Sequence, residues 1–358
     1  MTSCVVVSKN SIVLSSINED KCYVCSFINK EVKNLTDHLG EAYNQMPLNN
    51  YDLQKACATF SSNEKLFAYN PNKGKLLSIW NADDWSLVEN KTLLKHATKI
   101  IFTPKTHTIV VGDKKGDVYA FENHPVRILG HSSMVLDICI SNDEKYIITC
   151  DSDEKVRVSH YPNGKNIIYY MMGHTAFVSG LCLFTYFILS SSGDSSLKLW
   201  NIKNGELVDN LDVQKPIRSI ISFGDMVAVQ FYDSNEIQIV NKEINENSIS
   251  LKNIRRLQFD SIVLNMASYS NQIWIITVNS IHLFSIEPNS CIIENSDYTP
   301  MKNTKKTLED LIKSFTQLEK TDLMIFLHKK MIDKLKRTEE FLNNDIQDKP
   351  ITKRIKQN

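Results

Sequence analysis

Short apolar runs alternate with turn residues along most of the chain. The first three runs cover 4–8, 11–17 and 21–27 and are rich in Val, Ile, Tyr and Phe. Comparable groups of runs follow near 55–90, 97–122, 131–162, 174–203, 215–242 and 260–287. Runs of this length, separated by Gly, Asn, Asp and Ser, are typical of strands joined by tight turns. The groups recur at about 40 residues, the length of a four-stranded propeller blade, so the pattern predicts an all-β propeller of about seven blades.

Two neighbouring groups carry a sharper signature. Gly130-His131 precedes the first and Gly173-His174 the second, which ends in Trp200-Asn201 where a WD repeat has Trp-Asp. Asp153 and Asp194 lie six residues before the signature Trp position, where an Asp can turn a hairpin and accept a hydrogen bond from the repeat's own His. We therefore predict a WD-repeat β-propeller joined by buried polar networks. Their predicted members are His131 in one blade and His174, Ser192, Asp194 and Trp200 in the next.

The β pattern ends near Met301, so the predicted propeller spans 1–300, and its first group should close the ring by pairing with a late strand at 291–293. Apolar spacing then becomes helical, which predicts a short α-helical basic C-terminal extension over 301–358. The second of its two predicted helices carries Lys329, Lys330, Lys334, Lys336 and Arg337. Such a cluster suits nucleic-acid phosphates, although a solvated face is the commonest use of a charge run, and the sequence leaves both readings open.

Composition limits the partners. Lys+Arg and Asp+Glu number 41 each, so the chain has no global field that would draw it to nucleic acid or membrane. No apolar stretch approaches the roughly 18 to 20 residues that cross a bilayer, which predicts a soluble, intracellular protein. Most cysteines lie inside apolar strand-like runs, which favours reduced and buried thiols.

The usual catalytic motifs are missing from the sequence. It contains no HExxH, no G-x-S-x-G and no P-loop spacing. Cys22 and Cys25 have a metal-like spacing, but tetrahedral zinc needs two further ligands and no second pair follows. His131 and His174 stand where a WD repeat uses histidine structurally rather than for acid–base work. The sequence thus predicts a binding protein that is not an enzyme and holds no metal or cofactor itself.

Residues 129–162 (LGHSSMVLDICISNDEKYIITCDSDEKVRVSHYP), with the GHTAFVSGLCL and LSSSGDSSLKLW runs after them, resemble the non-catalytic WD-repeat subunit of the eukaryotic tRNA (guanine-7-)methyltransferase. GDKKGDVYAF at 112–121 and FLHKKMIDKLKRTEEFL at 326–342 are similar to further parts of that family. The resemblance covers the chain from about Val110 with gaps, and 1–95 share only the blade pattern. It implies a nuclear scaffold, also possible in the cytoplasm, that forms a heterodimer with the catalytic subunit and helps place tRNA for methylation of a variable-loop guanine. The methyl donor, S-adenosylmethionine, would bind the catalytic partner.

In that family the partner contact is made by one blade with a DEK-R-S motif, which here is Asp153, Glu154, Lys155, Arg157 and Ser159. The resemblance makes Arg157 the expected interface anchor. Strand alternation puts Arg157 on the face opposite Val156 and Val158, which predicts a surface arginine suited to pairing with a carboxylate. Replacement by Leu is then expected to leave the fold intact. Ser152 stands where the family commonly has a basic residue, so the resemblance implies a weaker partner contact at this position.

A general WD-repeat adaptor of the chromatin or ubiquitin type is the alternative function. Its binding would depend on residues that line the central channel rather than on Arg157. A catalytic propeller would need convergent ionisable residues at the channel mouth, and the sequence shows no such set.

Overall fold

The fold is a ring of seven small sheets. The structure, a computed structural model, describes residues 2–16, 21–28, 31–39, 56–71, 75–122, 124–245, 248–278, 280–286 and 293–295. Within them the chain forms 28 strands and one short 3₁₀ helix, Thr36–His38. The strands make seven four-stranded antiparallel sheets, which confirms the predicted β-propeller. The predicted boundary near 300, the helical extension and its cluster of basic residues lie outside the described residues and stay predictions.

Each blade is built from four strands that are consecutive in the chain and adjacent in the sheet. Blade by blade, the strands are β1 (Thr2–Val7), β2 (Ser11–Ser16), β3 (Cys22–Ser26) and β4 (Val32–Asn34); β5 (Cys57–Phe60), β6 (Leu66–Asn70), β7 (Leu76–Asn81) and β8 (Leu87–Thr92); β9 (Ala97–Phe102), β10 (Ile109–Asp113), β11 (Asp117–Phe121) and β12 (Pro125–Gly130); β13 (Val135–Ile140), β14 (Tyr146–Asp151), β15 (Val156–His160) and β16 (Ile167–Met171); β17 (Val178–Phe184), β18 (Phe187–Ser192), β19 (Ser196–Asn201) and β20 (Leu207–Asp212); β21 (Ile217–Phe223), β22 (Met226–Phe231), β23 (Glu236–Asn245) and β24 (Ser248–Gln258); β25 (Val263–Tyr269), β26 (Gln272–Thr277), β27 (Ile281–Ile286) and β28 (Ile293–Asn295).

Middle strands are buried on both faces because each blade is covered by a neighbour on either side. All six residues of β22 are buried, whereas the outer strand β20 is mostly exposed or half-buried. The apolar cores accordingly lie between blades. The core between blades 4 and 5, for example, joins Val156 and Val158 of one blade to Trp200 of the next.

The ring closes by side-chain packing rather than by a shared sheet. The inner strands β1 and β25 lie side by side, and Val5, Ile12 and Leu14 of blade 1 share a core with Trp274 and Ile276 of blade 7. The expectation that the first group pairs with a late strand is wrong. β28 pairs with β27 of its own blade, and β4 completes blade 1. Both end blades have four strands of their own, so the apolar faces between them close the ring.

A carboxylate strengthens this joint. Glu64, in the β5–β6 turn of blade 2, accepts hydrogen bonds from the Lys9 backbone N–H of blade 1 at 2.8 Å and from the Tyr269 hydroxyl of blade 7 at 3.1 Å. Partial burial and the nearby Glu64 carboxylate raise the pKa of Tyr269, so its hydroxyl keeps the proton that it donates. Three blades therefore meet at one side chain.

The two faces of the ring are distinguished by their loops. His131 lies in the connection from β12 to β13 and contacts Asp151 at the β14–β15 turn, so connections between blades and β14–β15-type turns share one face. We call it the histidine face.

Within the described part of the chain, no helix has the length and apolar character needed to cross a membrane.

Candidate partner interface in blade 4

Blade 5 holds a complete buried network. His174 Nδ1 lies 2.9 Å from Asp194 Oδ2, and Nε2 lies 2.7 Å from Ser190 Oγ. The Trp200 indole N–H donates to the same Ser190 oxygen at 2.8 Å. With its proton on Nδ1, His174 donates to Asp194 and accepts from Ser190, a tautomer that the network itself indicates. The predicted grouping of His174, Asp194 and Trp200 is confirmed by these contacts.

The predicted serine of this network, Ser192, is wrong. Ser192 Oγ donates to the Ala176 carbonyl at 3.2 Å and accepts from the Asp194 N–H at 3.1 Å, so it holds the hairpin turn instead. Ser190, two residues earlier on β18, points to the same side and reaches the His174 ring. The strand register explains why Ser190 reaches the network. Ser190 pairs with Lys198 of β19, and Trp200, two residues later, lies on the same side of the sheet as Lys198.

Blade 4 repeats the network with one different carboxylate. His131 Nδ1 lies 3.0 Å from Asp151 Oδ2, and Nε2 lies 2.7 Å from Thr149 Oγ1. The expected partner, Asp153, is therefore wrong; the carboxylate of Asp151, two residues earlier, reaches His131. Asp151 Oδ1 also accepts from the backbone N–H groups of Asp153 and Lys155, at 2.9 and 3.1 Å. One aspartate thus fixes both the histidine and the turn.

Arg157 takes the place that the signature tryptophan has in blade 5. Ser159 pairs with Ile147 as Trp200 pairs with Ile188, so a serine stands at the tryptophan position of blade 4. The Arg157 Nε–H donates to Ser159 Oγ at 2.8 Å. Its Nη1 donates to the Gly130 carbonyl at 3.0 Å and its Nη2 to the Gly164 carbonyl. Gly130 corresponds to Gly173, which lies against the Trp200 ring in blade 5.

The expectation of a surface arginine is wrong. Arg157 is 5% exposed and fills the space between blades 3 and 4. Alternation does put Arg157 opposite Val156 and Val158, as predicted, but that opposite face meets blade 3 rather than water. Replacement by Leu would leave the Gly130 and Gly164 carbonyls without these donors, so the expectation of an intact fold no longer holds.

The Arg157 guanidinium is a buried charge held by neutral groups. Its three hydrogen-bond acceptors are two backbone carbonyls and one hydroxyl, and among the described residues no carboxylate forms an ion pair with it. Burial lowers the pKa of Arg157, and Tyr170, which faces it across the β15–β16 pair, raises it in part. Such a charge is costly to bury without a counterion.

Two features flank Arg157. On the histidine face, the turn residues Asp153, Glu154 and Lys155 are half-buried, and Glu154 has the left-handed backbone conformation, φ 73°. On the outer strand β16, Tyr170 is 47% exposed and Ile167 is 45% exposed. Sequence reasoning did not find Tyr170; an aromatic side chain on an outer strand, opposite a buried arginine, is the signal that would have found it.

The site offers binding groups rather than reactive ones. Its histidine is fixed by Asp151 and Thr149, and its arginine is held by main-chain carbonyls. In the described ranges, no three His, Cys, Asp or Glu side chains lie together as a metal site would require. At the surface it offers the half-buried turn of Asp153, Glu154 and Lys155 and the exposed Tyr170, which faces the buried Arg157 across the β15–β16 pair.

Comparison with known proteins gives a consistent set of matches. The family described as the tRNA methyltransferase TRM82 WD40 domain matches residues 121–307, just over half of the chain. The tRNA (guanine-N(7)-)-methyltransferase non-catalytic subunit wdr4 of Danio rerio is 35% identical over 163 residues, which are 43% of this chain and 40% of that protein. The human subunit WDR4 is 32% identical over 232 residues, 59% of this chain and 55% of that protein. The wuho subunit of Drosophila melanogaster is 37% identical over 169 residues, 42% of this chain and 39% of that protein.

The chain thus spans between about two fifths and just over half of the length of these relatives. Among solved structures, a chain of the "Crystal Structure of Mitotic Checkpoint Complex" superposes with a TM-score of 0.63 at 14% identity, over 78% of this chain and 85% of that chain. At this identity the likeness shows the propeller fold alone.

Proposed function

Because the chain belongs to the family of the tRNA methyltransferase TRM82 WD40 domain, we propose that it is a non-catalytic scaffold subunit of a tRNA (guanine-N7)-methyltransferase. It binds the catalytic subunit as a heterodimer, stabilises it, and so supports methylation of the variable-loop guanine. S-adenosylmethionine binds the catalytic partner, and this chain holds no cofactor. Relatives that are named non-catalytic subunits support the proposal.

The observation that carries the proposal is the buried Arg157 charge. A guanidinium has five N–H donors; Arg157 directs three of them at Ser159, Gly130 and Gly164 and has the Tyr170 hydroxyl as a further hydrogen-bonding neighbour. We propose that a carboxylate of the catalytic subunit reaches Arg157 beside the exposed Tyr170 and neutralises it. The turn residues Asp153, Glu154 and Lys155 would then contact the partner at the rim, where charges guide association more than they strengthen it.

We further propose nuclear residence and contact between tRNA and the basic residues at 329–337. Both follow from the resemblance and from the local charge. Phosphate contact by this segment would make tRNA affinity of the heterodimer fall with salt, and neutralising its lysines would reduce that salt dependence.

The decisive experiment measures guanine-N7 methylation of tRNA by the catalytic subunit with and without this chain. Wild type should activate strongly, and this chain alone should give no methylation. The informative variants are Glu154→Lys and Lys155→Glu, because they reverse charges in the half-buried β14–β15 turn at the rim. They should slow association with the catalytic subunit.

A matched control exists in the next blade. Ser195 occupies the same turn position as Glu154, with φ 68° against 73°. Ser195→Lys places a lysine at the equivalent turn position 41 residues later in the chain, with one unit of added positive charge, and should leave association unchanged. The proposal would be contradicted if wild type did not activate methylation, or if all three variants associated with the catalytic subunit at the same rate. The adaptor function would then be favoured.

A further inference from the structure

Two guanidinium groups meet at Gly130, the last residue of β12 in blade 3. Arg157 Nη1 donates to the Gly130 carbonyl from blade 4 at 3.0 Å. The Arg127 guanidinium, from β12 itself, lies so close to the Gly130 α-carbon that any side chain at this position would clash with it. Arg157 is buried, whereas the Arg127 side chain is 60% exposed. The boundary between blades 3 and 4 therefore carries one buried and one exposed arginine.

The chain supplies one carboxylate at this boundary. Arg127 Nη2 lies 2.5 Å from Asp117 Oδ1, at the start of β11. Among the residues that the structure describes, no other carboxylate forms an ion pair with Arg127, and none forms one with Arg157. Two cations thus stand beside a single anion. A protein surface that brings a further carboxylate to this place would be complementary in charge.

Arg127 is held in one orientation from behind. Asp117 Oδ2 accepts a hydrogen bond from the Tyr119 hydroxyl at 3.1 Å, so one carboxylate oxygen is fixed by Tyr119 and the other meets Arg127. Burial raises the pKa of Tyr119 to about 12, and the Asp117 carboxylate adds to this shift, so the hydroxyl keeps the proton that it donates. A side chain that is already held loses less conformational entropy when a partner binds it. Only Nη2 of this guanidinium meets an acceptor among the described residues, which leaves the other N–H groups to solvent or to a partner.

We propose that Arg127 is a second contact of the catalytic subunit, which presents one carboxylate to Arg127 and another to Arg157. This inference rests on the proposed function and extends the interface from blade 4 to the outer strand of blade 3. Tyr170, which is exposed and faces Arg157 across the β15–β16 pair, offers an aromatic surface at the same boundary. Arginine and tyrosine are among the side chains enriched where protein interfaces are tightest. Asp117 beside Arg127 suits a protein surface of mixed charge better than a run of phosphates.

The test is surface plasmon resonance of the whole chain with the purified catalytic subunit at several salt concentrations. Arg127→Gln should weaken the heterodimer by about tenfold or more and reduce the salt dependence of the association rate. Arg127→Lys keeps the charge but loses the forked donors, so its affinity should lie between the two. Arg256→Gln is the matched control, because Arg256 lies on the outer strand β24, is 51% exposed and has its Nε 3.6 Å from Glu236 Oε1. It should bind as wild type does.

Thermal unfolding separates this contact from a structural role. Exposed ion pairs contribute little to stability, so Arg127→Gln should unfold close to the wild-type temperature. The inference would be overturned by wild-type affinity and salt dependence in Arg127→Gln, by an equal loss in Arg256→Gln, or by an unchanged heterodimer that binds tRNA more weakly. Each of these outcomes leaves wild type bound to the catalytic subunit and the proposed function intact. Failure of wild type itself to bind would contradict the proposed function.

Discussion

Blades 4 and 5 are neighbours with the same backbone plan, yet they fill the same interior position with opposite chemistry. In blade 5 the Trp200 indole donates one hydrogen bond to Ser190 and otherwise packs against apolar neighbours. In blade 4 a serine stands there, and Arg157 supplies three donors to Ser159, Gly130 and Gly164. The neutral ring of Trp200 costs less free energy to bury than the cation of Arg157, because a buried cation without a counterion is poorly solvated.

The difference teaches how a repeat fold acquires a binding site. The histidine, the hydroxyl residue and an aspartate are kept in both blades, so the join between connection and turn is the same. The carboxylate comes from a different turn position in each blade, and the residues at the tryptophan position and two before it also differ. A charge placed there is held in one orientation by the blade, as the proposed contact with a partner's carboxylate requires.

The largest expected effect is in blade 5. Trp200→Ala removes a buried ring and the donor to Ser190, and should lower the free energy of unfolding by about 3–5 kcal/mol. Chemical denaturation followed by far-ultraviolet circular dichroism, a signal of the backbone, measures this loss of free energy. Trp200→Phe keeps much of the side-chain volume and should lower the free energy of unfolding less. Equal losses for both variants would show that filling this space does not determine the stability of the blade.

Arg157→Leu in blade 4 should cost about 2–4 kcal/mol, because two buried carbonyls lose their donors. The same denaturation experiment measures it. Lys198→Leu is the matched control, since Lys198 pairs with Ser190 as Arg157 pairs with Thr149 but bonds only to Asn210 at the surface. An Arg157→Leu protein as stable as wild type would contradict the buried placement of this arginine.

Acid should act through the carboxylate of blade 5. Burial alone would raise the pKa of Asp194, but hydrogen bonds from His174, Ser196 and the Thr175 N–H hold it well below its usual range. The folded pKa is thus below the unfolded value of about 3.9, so this stabilisation is present above about pH 4 and is lost as the pH falls through the folded pKa.

Asp194→Asn should therefore be less stable than wild type near neutral pH and should lose less stability on acidification. Unfolding midpoints from pH 7 down to about pH 2 measure the slope, because the loss lies below the unfolded pKa. Asp153→Asn, at the corresponding position of blade 4, should keep the wild-type slope because Asp151 is the carboxylate on His131. If the stability of Asp194→Asn fell with acid as steeply as that of wild type, Asp194 would not be the group through which acid destabilises this blade.

The smallest effect on stability is expected from converting one blade into the other. In Arg157→Lys/Ser159→Trp, the new indole can donate to Thr149 as Trp200 does to Ser190, so unfolding should change by only about 1 kcal/mol in either direction. Association with the catalytic subunit should nevertheless fall at least tenfold, as measured by calorimetry. Wild-type affinity in this folded variant would show that Arg157 does not carry the interface.

The fold was predictable because its signals repeat. Seven groups of apolar runs and two Gly-His repeats gave the sheets and the grouping of His174 with Asp194 and Trp200. The partners of His131 and the correct serine were missed because counting back from the tryptophan does not say which of two positions two residues apart reaches the ring. Ser190 and Ser192 share one side of β18, whereas Asp151 ends β14 and Asp153 lies in the turn that follows.

Burial of Arg157 was missed for a different reason. Alternation separates two faces of a strand, and in an open sheet one of them meets water. In a propeller both faces of a middle strand meet other blades, so a polar residue among apolar ones marks a polar contact between blades.

Closure of the ring by packing has a consequence for synthesis. A propeller whose last blade borrows a strand from the start of the chain leaves that strand unpaired until translation ends. Here β1–β4 form a whole sheet from the first 39 residues, so blade 1 has its full set of strand partners as soon as it emerges from the ribosome. Each later blade can then add to its predecessor in order, as domains do when they fold from the N-terminus. The ring closes when Trp274 and its neighbours in blade 7 dock on the apolar face of blade 1, which stays exposed until blade 7 has been made.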